Sequence, residues 1–480
     1  MEDRSGPSFD LKILVATEEN KVIMAESDKE FIEVLFSFMI TPIGSVVRST
    51  SDWFSRDIGC FNNVYASIED ETMKKLFQDR RSRDILLNQR SAAELYFENI
   101  EQIPTQNGSK EFYVCDDKNC KMITYYKIGS CQRGQESNHK IAIRPSSKFF
   151  PKEEAGFFKS TARFMITDDF KVMPVSSRVN VTALNALGLY GKVEERLIKI
   201  GRDEVLKLLK RSLISRTPLS DTFLESSINK SSNQLHDMEY SLGRMNPSLN
   251  VKDYWKKKTK NIQLKLIFNK LNNMALYAVV KEDFVDLLCT FLRIPLGYIF
   301  NQFPCLSFEG CLGNLHKSIK ETNISLFRSK EKKEILVNPK LAPGLRYNSN
   351  VTGIEETTIL SHCSLSSLFY TNKWFMNPMK KQENQSVLDS LIKGPATFLV
   401  TDSLEVKPLS PICVKGLVDG MRIPLSDIGE QEVFLDEEKA MHLLAACVAS
   451  DHALTSTFLS KEKNSNWYDV TEFSFKLPLD

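Results

Sequence analysis

The sequence has no excess of charge of either sign. Its 480 residues include 63 Lys and Arg against 61 Asp and Glu, a formal net charge of +2. A chain without a strong overall field does not attract nucleic acid or an anionic membrane through charge alone. Either partner would need a local patch. The basic run at residues 255–260 could form such a patch or a nuclear-localisation signal, but we interpret it as a solvated junction between the two halves of the chain.

Long hydrophobic runs are also missing. No apolar stretch approaches the roughly eighteen residues of a membrane-spanning helix. The first ten residues, MEDRSGPSFD, are polar where a signal peptide would be basic and then apolar. We therefore expect a soluble protein of the cytoplasm, with the nucleus as the alternative and no membrane partner. In that reducing compartment its 10 cysteines are expected to remain thiols.

The short motifs that mark common active sites are absent as well. The sequence has no G-x-S-x-G, no Walker loop, no G-x-G-x-x-G and no acidic cluster typical of two-metal enzymes. Asp168 and Asp169 are adjacent carboxylates, and Asp402 has a similar context. All three fall between two strand patterns, where Asp usually bonds the local backbone of a turn. We interpret them as turn residues and assign no catalytic residue.

The sequence does contain an internal repeat. Residues 11–44 align without a gap on residues 264–297, and later motifs match in the same order. FMITDDFKVMPVS from Phe164 matches FLVTDSLEVKPLS from Phe398, and LLKRSLISRTPLSDTFL from Leu208 matches LLAACVASDHALTSTFL from Leu443. Identical pairs in the first block include Phe31 with Phe284, Leu35 with Leu288, Phe38 with Phe291, Pro42 with Pro295 and Gly44 with Gly297. The sequence therefore predicts two tandem homologous copies.

We place the first copy at residues 1–225 and the second copy at residues 261–480. Residues 226–260 are rich in Ser and Asn, lack an apolar period and are interpreted as a flexible linker. The second copy is shorter than the first between Asn338 and Phe398. That missing part corresponds to a cysteine-containing segment of the first copy.

Each copy combines strand and helix patterns. LKILVA and KVIMAE alternate about the turn TEEN and predict a hairpin. A helix should follow, with Ser27 and Glu30 as a capping box and with Pro42 and Gly44 at its end. A later helix should carry Val205, Leu208, Leu209 and Leu213 on one face. We predict an α+β fold in which each copy is a mixed, mostly antiparallel sheet built from hairpin-plus-helix units, with helices against one face.

The cysteine-containing segment is FYVCDDKNCKMITYYKIGSC, at residues 112–131. Cys115, Cys120 and Cys131 could supply three of the four ligands of a structural zinc ion, and His139 is the nearby candidate for the fourth. The alternative is a decayed site in which these thiols are free. We treat residues from about 112 to 140 as a degenerate zinc-ribbon-like insertion.

These motifs, in this order, resemble a plant family known as the domain of unknown function 674 family. The resemblance covers nearly the whole chain and implies no particular reaction. Members typically carry Tyr-x-Cys-x4-Cys followed by Cys-x2-Cys-Gly, a pattern similar to a zinc ribbon. This chain keeps Tyr113, Cys115, Cys120 and Cys131 but has no cysteine at the fourth position.

The residues shared by the two copies are apolar or turn-forming, whereas the polar candidates differ between them. This pattern favours a non-enzymatic binding or scaffold protein with an unidentified protein partner. One alternative is an enzyme or small-ligand-binding protein with a cleft between the copies. The other is a zinc-dependent nucleic-acid-binding protein, which would need a basic surface near the cysteines.

Overall fold

A computed structural model describes much of residues 1–225 and 261–480, the two ranges that are called the first copy and the second copy below. The described residues are 8–50, 59–78, 80–93, 111–114, 122–124, 126, 139–142, 156–159, 162–175, 192–224, 261–303, 310–342, 354, 374–375 and 390–459. The predicted linker at 226–260 lies outside them, so the proposed boundaries of the copies stay a prediction.

The strands of the described residues are named here in chain order. They are β1 (Phe9–Ala16), β2 (Lys21–Asp28), β3 (Glu111–Val114), β4 (Met122–Thr124), β5 (His139–Ala142), β6 (Arg163–Thr167), β7 (Val172–Pro174), β8 (Val193–Ile200), β9 (Ile262–Asn269), β10 (Met274–Lys281), β11 (Trp374–Phe375), β12 (Thr397–Thr401), β13 (Val406–Pro408) and β14 (Ile428–Leu435).

The helices of the described residues follow the same convention. They are α1 (Lys29–Ser37), α2 (Ile43–Thr50), α3 (Phe61–Glu69), α4 (Glu71–Lys74), α5 (Arg80–Leu87), α6 (Arg202–Ile214), α7 (Pro218–Phe223), α8 (Glu282–Phe291), α9 (Leu296–Gln302), α10 (Cys311–Glu321), α11 (Lys330–Val337), α12 (Pro411–Met421), α13 (Glu437–Ala449) and α14 (Ala453–Phe458). None of the helices in this part of the chain is both long enough and apolar enough to cross a bilayer.

Two five-stranded sheets form the framework. Their strand orders are equivalent when strands are matched by their place along each copy. The first sheet runs β7-β6-β2-β1-β8 and the second runs β13-β12-β10-β9-β14. Every pair of neighbouring strands in both sheets is antiparallel. The α+β class is therefore confirmed, and two matching sheets fit two copies.

A parallel pair occurs outside the two main sheets. A third sheet has the order β11-β4-β3-β5, in which β11 runs parallel to β4. Because β11 comes from the second copy and β4 from the first, this pair joins strands of both copies.

The hairpin predicted at TEEN is confirmed, and β1 and β2 flank it. Asn20 ends this turn with φ 48°, and the aligned Asn273 has φ 54°. Asn tolerates the left-handed region better than most residues do, because its short polar side chain can bond locally. The same residue therefore appears at the same strained position in both hairpins.

The helix after the hairpin differs from its prediction at both ends. It begins at Lys29, with Asp28 as its N-cap and without a side-chain capping bond, so the predicted capping box of Ser27 and Glu30 is wrong. It ends at Ser37 and is followed by a short 3-10 turn at Phe38–Ile40. Pro42 and Gly44 instead stand at the start of α2, where the fixed φ of proline suits the first turn of a helix.

The main core lies between the sheets and the helices. Leu11, Ile13 and Val15 of β1 are fully buried while Lys12 is exposed, as expected for a strand with one face in the core. The second sheet also has a layer on its other face, where Leu417 of α12 packs with Ile267 and Tyr277. The second sheet is thus covered on both faces.

Candidate functional site

The contact region between the two copies brings together polar groups from both. Helix α3 of the first copy packs against β13 and α8 of the second, and α10 of the second copy packs against β7 and α6 of the first. Each copy therefore places one helix against the sheet of the other. We call the residues that join the two copies in this way the inter-copy region.

Two aligned asparagines fix these exchanged helices. Asn63 of α3 donates from Nδ2 to the backbone carbonyl of Ser403 at 2.8 Å. Asn314 of α10 donates from Nδ2 to the backbone carbonyl of Asp169, also at 2.8 Å. Ser403 lies in the turn between β12 and β13, and Asp169 lies in the equivalent turn between β6 and β7. The two bonds are therefore reciprocal.

Two aligned serines form a second reciprocal pair one turn further along the same helices. Ser67 Oγ accepts from the backbone N–H of Val406 at 2.9 Å. Ser318 Oγ accepts from the backbone N–H of Val172 at the same distance. These N–H groups belong to the short edge strands β13 and β7, so each serine satisfies a buried donor of the opposite sheet.

The centre of the inter-copy region lies at two aligned prolines. Pro42 and Pro295 form an antiparallel bridge with each other. The N–H of Ile43 donates to the Ile294 carbonyl at 2.9 Å. In the reciprocal bond, the N–H of Leu296 donates to the Thr41 carbonyl at 3.0 Å. Contact between equivalent residues is what a twofold relation between the copies requires. The contacts at these prolines fit a pseudo-twofold relation between the two ranges.

The carboxylates of Asp168 and Asp402 have different partners from those predicted. Asp168 accepts from the N–H and hydroxyl of Ser220 at 2.9 and 2.5 Å. Asp402 accepts from the N–H and hydroxyl of Thr455 at 2.8 and 2.6 Å. Both sit in turns, as predicted, but their side chains bond distant helices instead of the local backbone. Burial raises the pKa of Asp168.

In the second copy, an imidazole also contacts the turn carboxylate Asp402. His452 Nδ1 lies 3.2 Å from Asp402 Oδ2, and the ring is about half exposed. The hydrogen bond with Asp402 raises the pKa of His452. The first copy has Thr217 at the aligned position. The pair can hold a proton at the surface, and Asp402 also fixes α14.

Glu33 and Asp286 form a pair of aligned, buried carboxylates. Glu33 Oε1 accepts from the N–H of Phe157 at 2.6 Å. Asp286 accepts from the Ser390 hydroxyl at 2.6 Å and from the Leu391 N–H at 3.1 Å. Burial raises the pKa of Asp286 to about 7. A signal was present, because both acids stand at aligned positions inside the apolar helices FIEVLF and FVDLLC.

Two aligned cysteines also lie in the inter-copy region. Cys60 Sγ donates to the Ser450 carbonyl, and Cys311 Sγ donates to the Ser215 carbonyl, both at 3.1 Å. Burial raises the pKa of each thiol to about 12. Because the thiolate is the reactive form, these cysteines are structural donors at neutral pH.

The predicted metal ligands fall mostly outside the described residues. Cys115, Cys120 and Cys131 all do, and only the backbone of His139 is described. His139 begins β5 and pairs with Val114 of β3, the residue before Cys115 in sequence. Within the ranges that the structure describes, no group of three or more His, Cys, Asp and Glu side chains could hold a metal ion.

The sequence model of the family described as "Protein of unknown function (DUF674)" matches residues 5–438. The chain belongs to the DUF674 family. The family predicted from the sequence motifs is therefore confirmed. Neither the curated proteins nor the solved structures gave a match.

The DUF674 match covers both sheets and the exchanged helices α3 and α10. It includes Asn63, Asn314, Ser67 and Ser318, which hold these helices in place. The family assignment names no reaction, ligand or partner, so the chemistry of this DUF674 chain has to be inferred from its own residues.

Proposed function

We propose that this DUF674 protein is a non-enzymatic binding protein, in which the two copies form one scaffold and the outer surface binds a protein partner. The main support for this proposal is that polar side chains at aligned positions of the inter-copy region bond the backbone of the opposite copy. Asn63, Asn314, Ser67 and Ser318 all donate to or accept from the backbone of the opposite copy. These groups stabilise the assembly of the two copies.

The partner surface that we favour surrounds α12. Ile412 at the start of this helix is 84% exposed, and Leu425, just after it, is 78% exposed. Gly416 and Gly420 lie on the same helix, and a Cβ atom added to either would meet open space. Both ends of α12 therefore carry a large exposed apolar side chain, and we take these side chains as the contacts for a protein partner.

The test is affinity capture from source tissue with the full chain as bait. Ile412→Lys places a charge on the proposed surface, and Leu271→Lys is the matched control, because Leu271 is 79% exposed in the turn between β9 and β10. We expect a stoichiometric partner that is retained by wild type and by the control but is lost with Ile412→Lys. Equal retention by all three proteins would contradict a binding surface at α12.

The enzyme or small-ligand alternative makes a different prediction. Native mass spectrometry of the purified chain would then show a bound small molecule in stoichiometric amount. Substitution of Asn63 or Asn314 by Ala, at the boundary of the two copies, would release it. That result would overturn the scaffold proposal.

We further propose one structural zinc ion, held by Cys115, Cys120, Cys131 and His139. Three thiolates and one imidazole are an accepted tetrahedral ligand set. The pairing of β3 with β5 supports the proposal, since it brings the backbone of His139 beside the residue that precedes Cys115. Zinc here would stabilise an insertion of the first copy.

The origin and location of the protein are proposals of the same kind. We propose a plant protein of the cytoplasm whose two copies arose by tandem duplication. The common strand order of the two sheets supports the duplication. A fluorescent fusion of the full chain would test the location, and nuclear accumulation that depends on residues 255–260 would favour the alternative.

A further inference from the structure

The outermost strand of the first sheet leaves one side without a partner strand. β8 pairs with β1 along its whole length, from Val193 opposite Ala16 to Ile200 opposite Phe9. No other strand of the described residues pairs with its second side. Within the described part of the chain the outward backbone groups of β8 have no strand partner, and an edge of this kind is a template for a further strand.

The side chains of β8 differ between its two faces. Ile200 is buried and Ile198 packs against the main core. On the other face Leu197 is 69% exposed and Val193 is 39% exposed. A large apolar side chain exposed on a free edge strand is unusual, since natural edge strands are normally protected by charge.

Charged residues flank Leu197 on this exposed face. Glu195 precedes it by two positions and Lys199 follows it by two, so all three side chains point to the same side of the strand. Lys12 of β1 already contacts Glu195, with Nζ 2.9 Å from Oε1. On the exposed face, a negative Glu195 and a positive Lys199 therefore lie at equal distances along the strand on either side of Leu197.

We propose that two molecules of this chain pair through β8 and form one continuous antiparallel sheet. A twofold axis perpendicular to the sheet keeps the exposed face of both molecules on the same side and pairs residues symmetrically about its centre. With the axis at Leu197, this leucine lies opposite its own counterpart. Glu195 of each molecule then lies opposite Lys199 of the other. Opposite-charge cross-strand pairs stabilise a sheet by about 0.2–1 kcal/mol each.

The corresponding strand of the second sheet does not have this symmetry. β14 is also an outermost strand, and its exposed residues include Glu430, Glu432 and Phe434. Pairing two β14 strands about Glu432 would set that glutamate against its own counterpart. Like charges directly opposite each other are destabilising. The charge pattern therefore selects β8, and it selects a second molecule of the same chain as the occupant.

The experiment is sedimentation velocity of the full chain from about 1 to 100 µM, a range that covers micromolar dissociation constants. We expect a monomer–dimer equilibrium in the wild type. Leu197→Lys should leave only monomer, while Phe434→Lys on β14 serves as the matched control and should sediment as the wild type does. Circular dichroism checks that all variants are folded.

Charge reversal distinguishes a lost dimer contact from misfolding, because mixing two complementary variants should restore the dimer. Glu195→Lys alone sets Lys against Lys, and Lys199→Glu alone sets Glu against Glu, so each variant should dimerise at least about tenfold more weakly. When the two variants are mixed, both cross-strand pairs become Lys opposite Glu, and the mixed dimer should form again. A monomeric wild type, a dimer unaffected by Leu197→Lys, or no recovery on mixing would each overturn the proposal.

Discussion

The two copies agree inside the molecule and differ on its outside. Inside, Asn63 matches Asn314 and Glu33 matches Asp286, and each pair bonds equivalent backbone groups. Outside, α12 covers the second sheet, and the two edge strands carry different charges. Groups that join the copies are constrained by reciprocal geometry, because a change on one side breaks the match with the other. Surface groups have no such constraint, so distinct binding properties of the two copies should arise there.

The largest expected effect comes from the shared core. Leu35 and Leu288 are aligned and fully buried, so Leu35→Ala or Leu288→Ala should each lower the free energy of unfolding by about 3 kcal/mol. Because α3 and α10 pack on the opposite sheets, both substitutions should shift one common transition in calorimetry. Two separate transitions, only one of which moves in each variant, would show that the copies unfold independently.

A smaller effect is expected at the aligned turn carboxylates. Asp168→Asn and Asp402→Asn each weaken two hydrogen bonds to a distant helix and should cost about 2 kcal/mol in chemical denaturation. The loss should be greater for Asp402, because His452 also contacts it. Asp419→Asn, an exposed carboxylate on α12, is the control. Equal losses of stability in both variants would show that the contact between His452 and Asp402 does not contribute to stability.

The buried carboxylates predict a dependence of stability on pH. Asp286 has a folded-state pKa of about 7 against 3.8 for the free side chain. The folded state therefore binds this proton more tightly, and the contribution of Asp286 to stability should fall as pH rises from about 4 to about 7.

The measurement is the melting temperature of wild type and of Asp286→Asn across that pH range. The difference between the two proteins should change steadily over the interval. Asp10→Asn, at an exposed carboxylate, should follow the wild type. A wild-type curve parallel to that of Asp286→Asn would mean that Asp286 does not titrate in this range.

The smallest effect on the whole fold is expected from the proposed zinc site, which only the first copy has. Purified full chain should contain close to one equivalent of zinc, and Cys120→Ser should lose it. Global unfolding should change little, because the insertion lies outside the two main sheets. Cys413→Ser, a half-buried cysteine of α12, is the control. Wild type with less than a tenth of an equivalent would rule out the zinc site.

The local elements were largely predictable from sequence. The hairpin about TEEN and the helix carrying Val205, Leu208 and Leu209 follow from periods of two and of about 3.6 residues. The end of α1 was not predictable in the same way. The helix ends at Ser37, five residues before Pro42, and Pro42 lies directly before α2, where it bridges Pro295.

The contacts of the site were less predictable. Asp168 was assigned to the correct turn but to the wrong hydrogen-bond partner, since its partner Ser220 comes from a helix far along the chain. Glu33 and Asp286 were overlooked because each looks like a surface position within an amphipathic helix. Only burial and the nearby backbone N–H groups reveal their structural role.

By itself the sequence determined the family, the α+β class and the repeat of elements in each copy, because periodicity and turn residues act over a few neighbours. Only the tertiary structure decided that α3 and α10 exchange sheets and that Asn63 and Asn314 face the opposite copy. An apolar helix face in the sequence predicts that the helix is buried, but it does not predict which sheet the helix packs against. That choice depends on the combined packing of both copies.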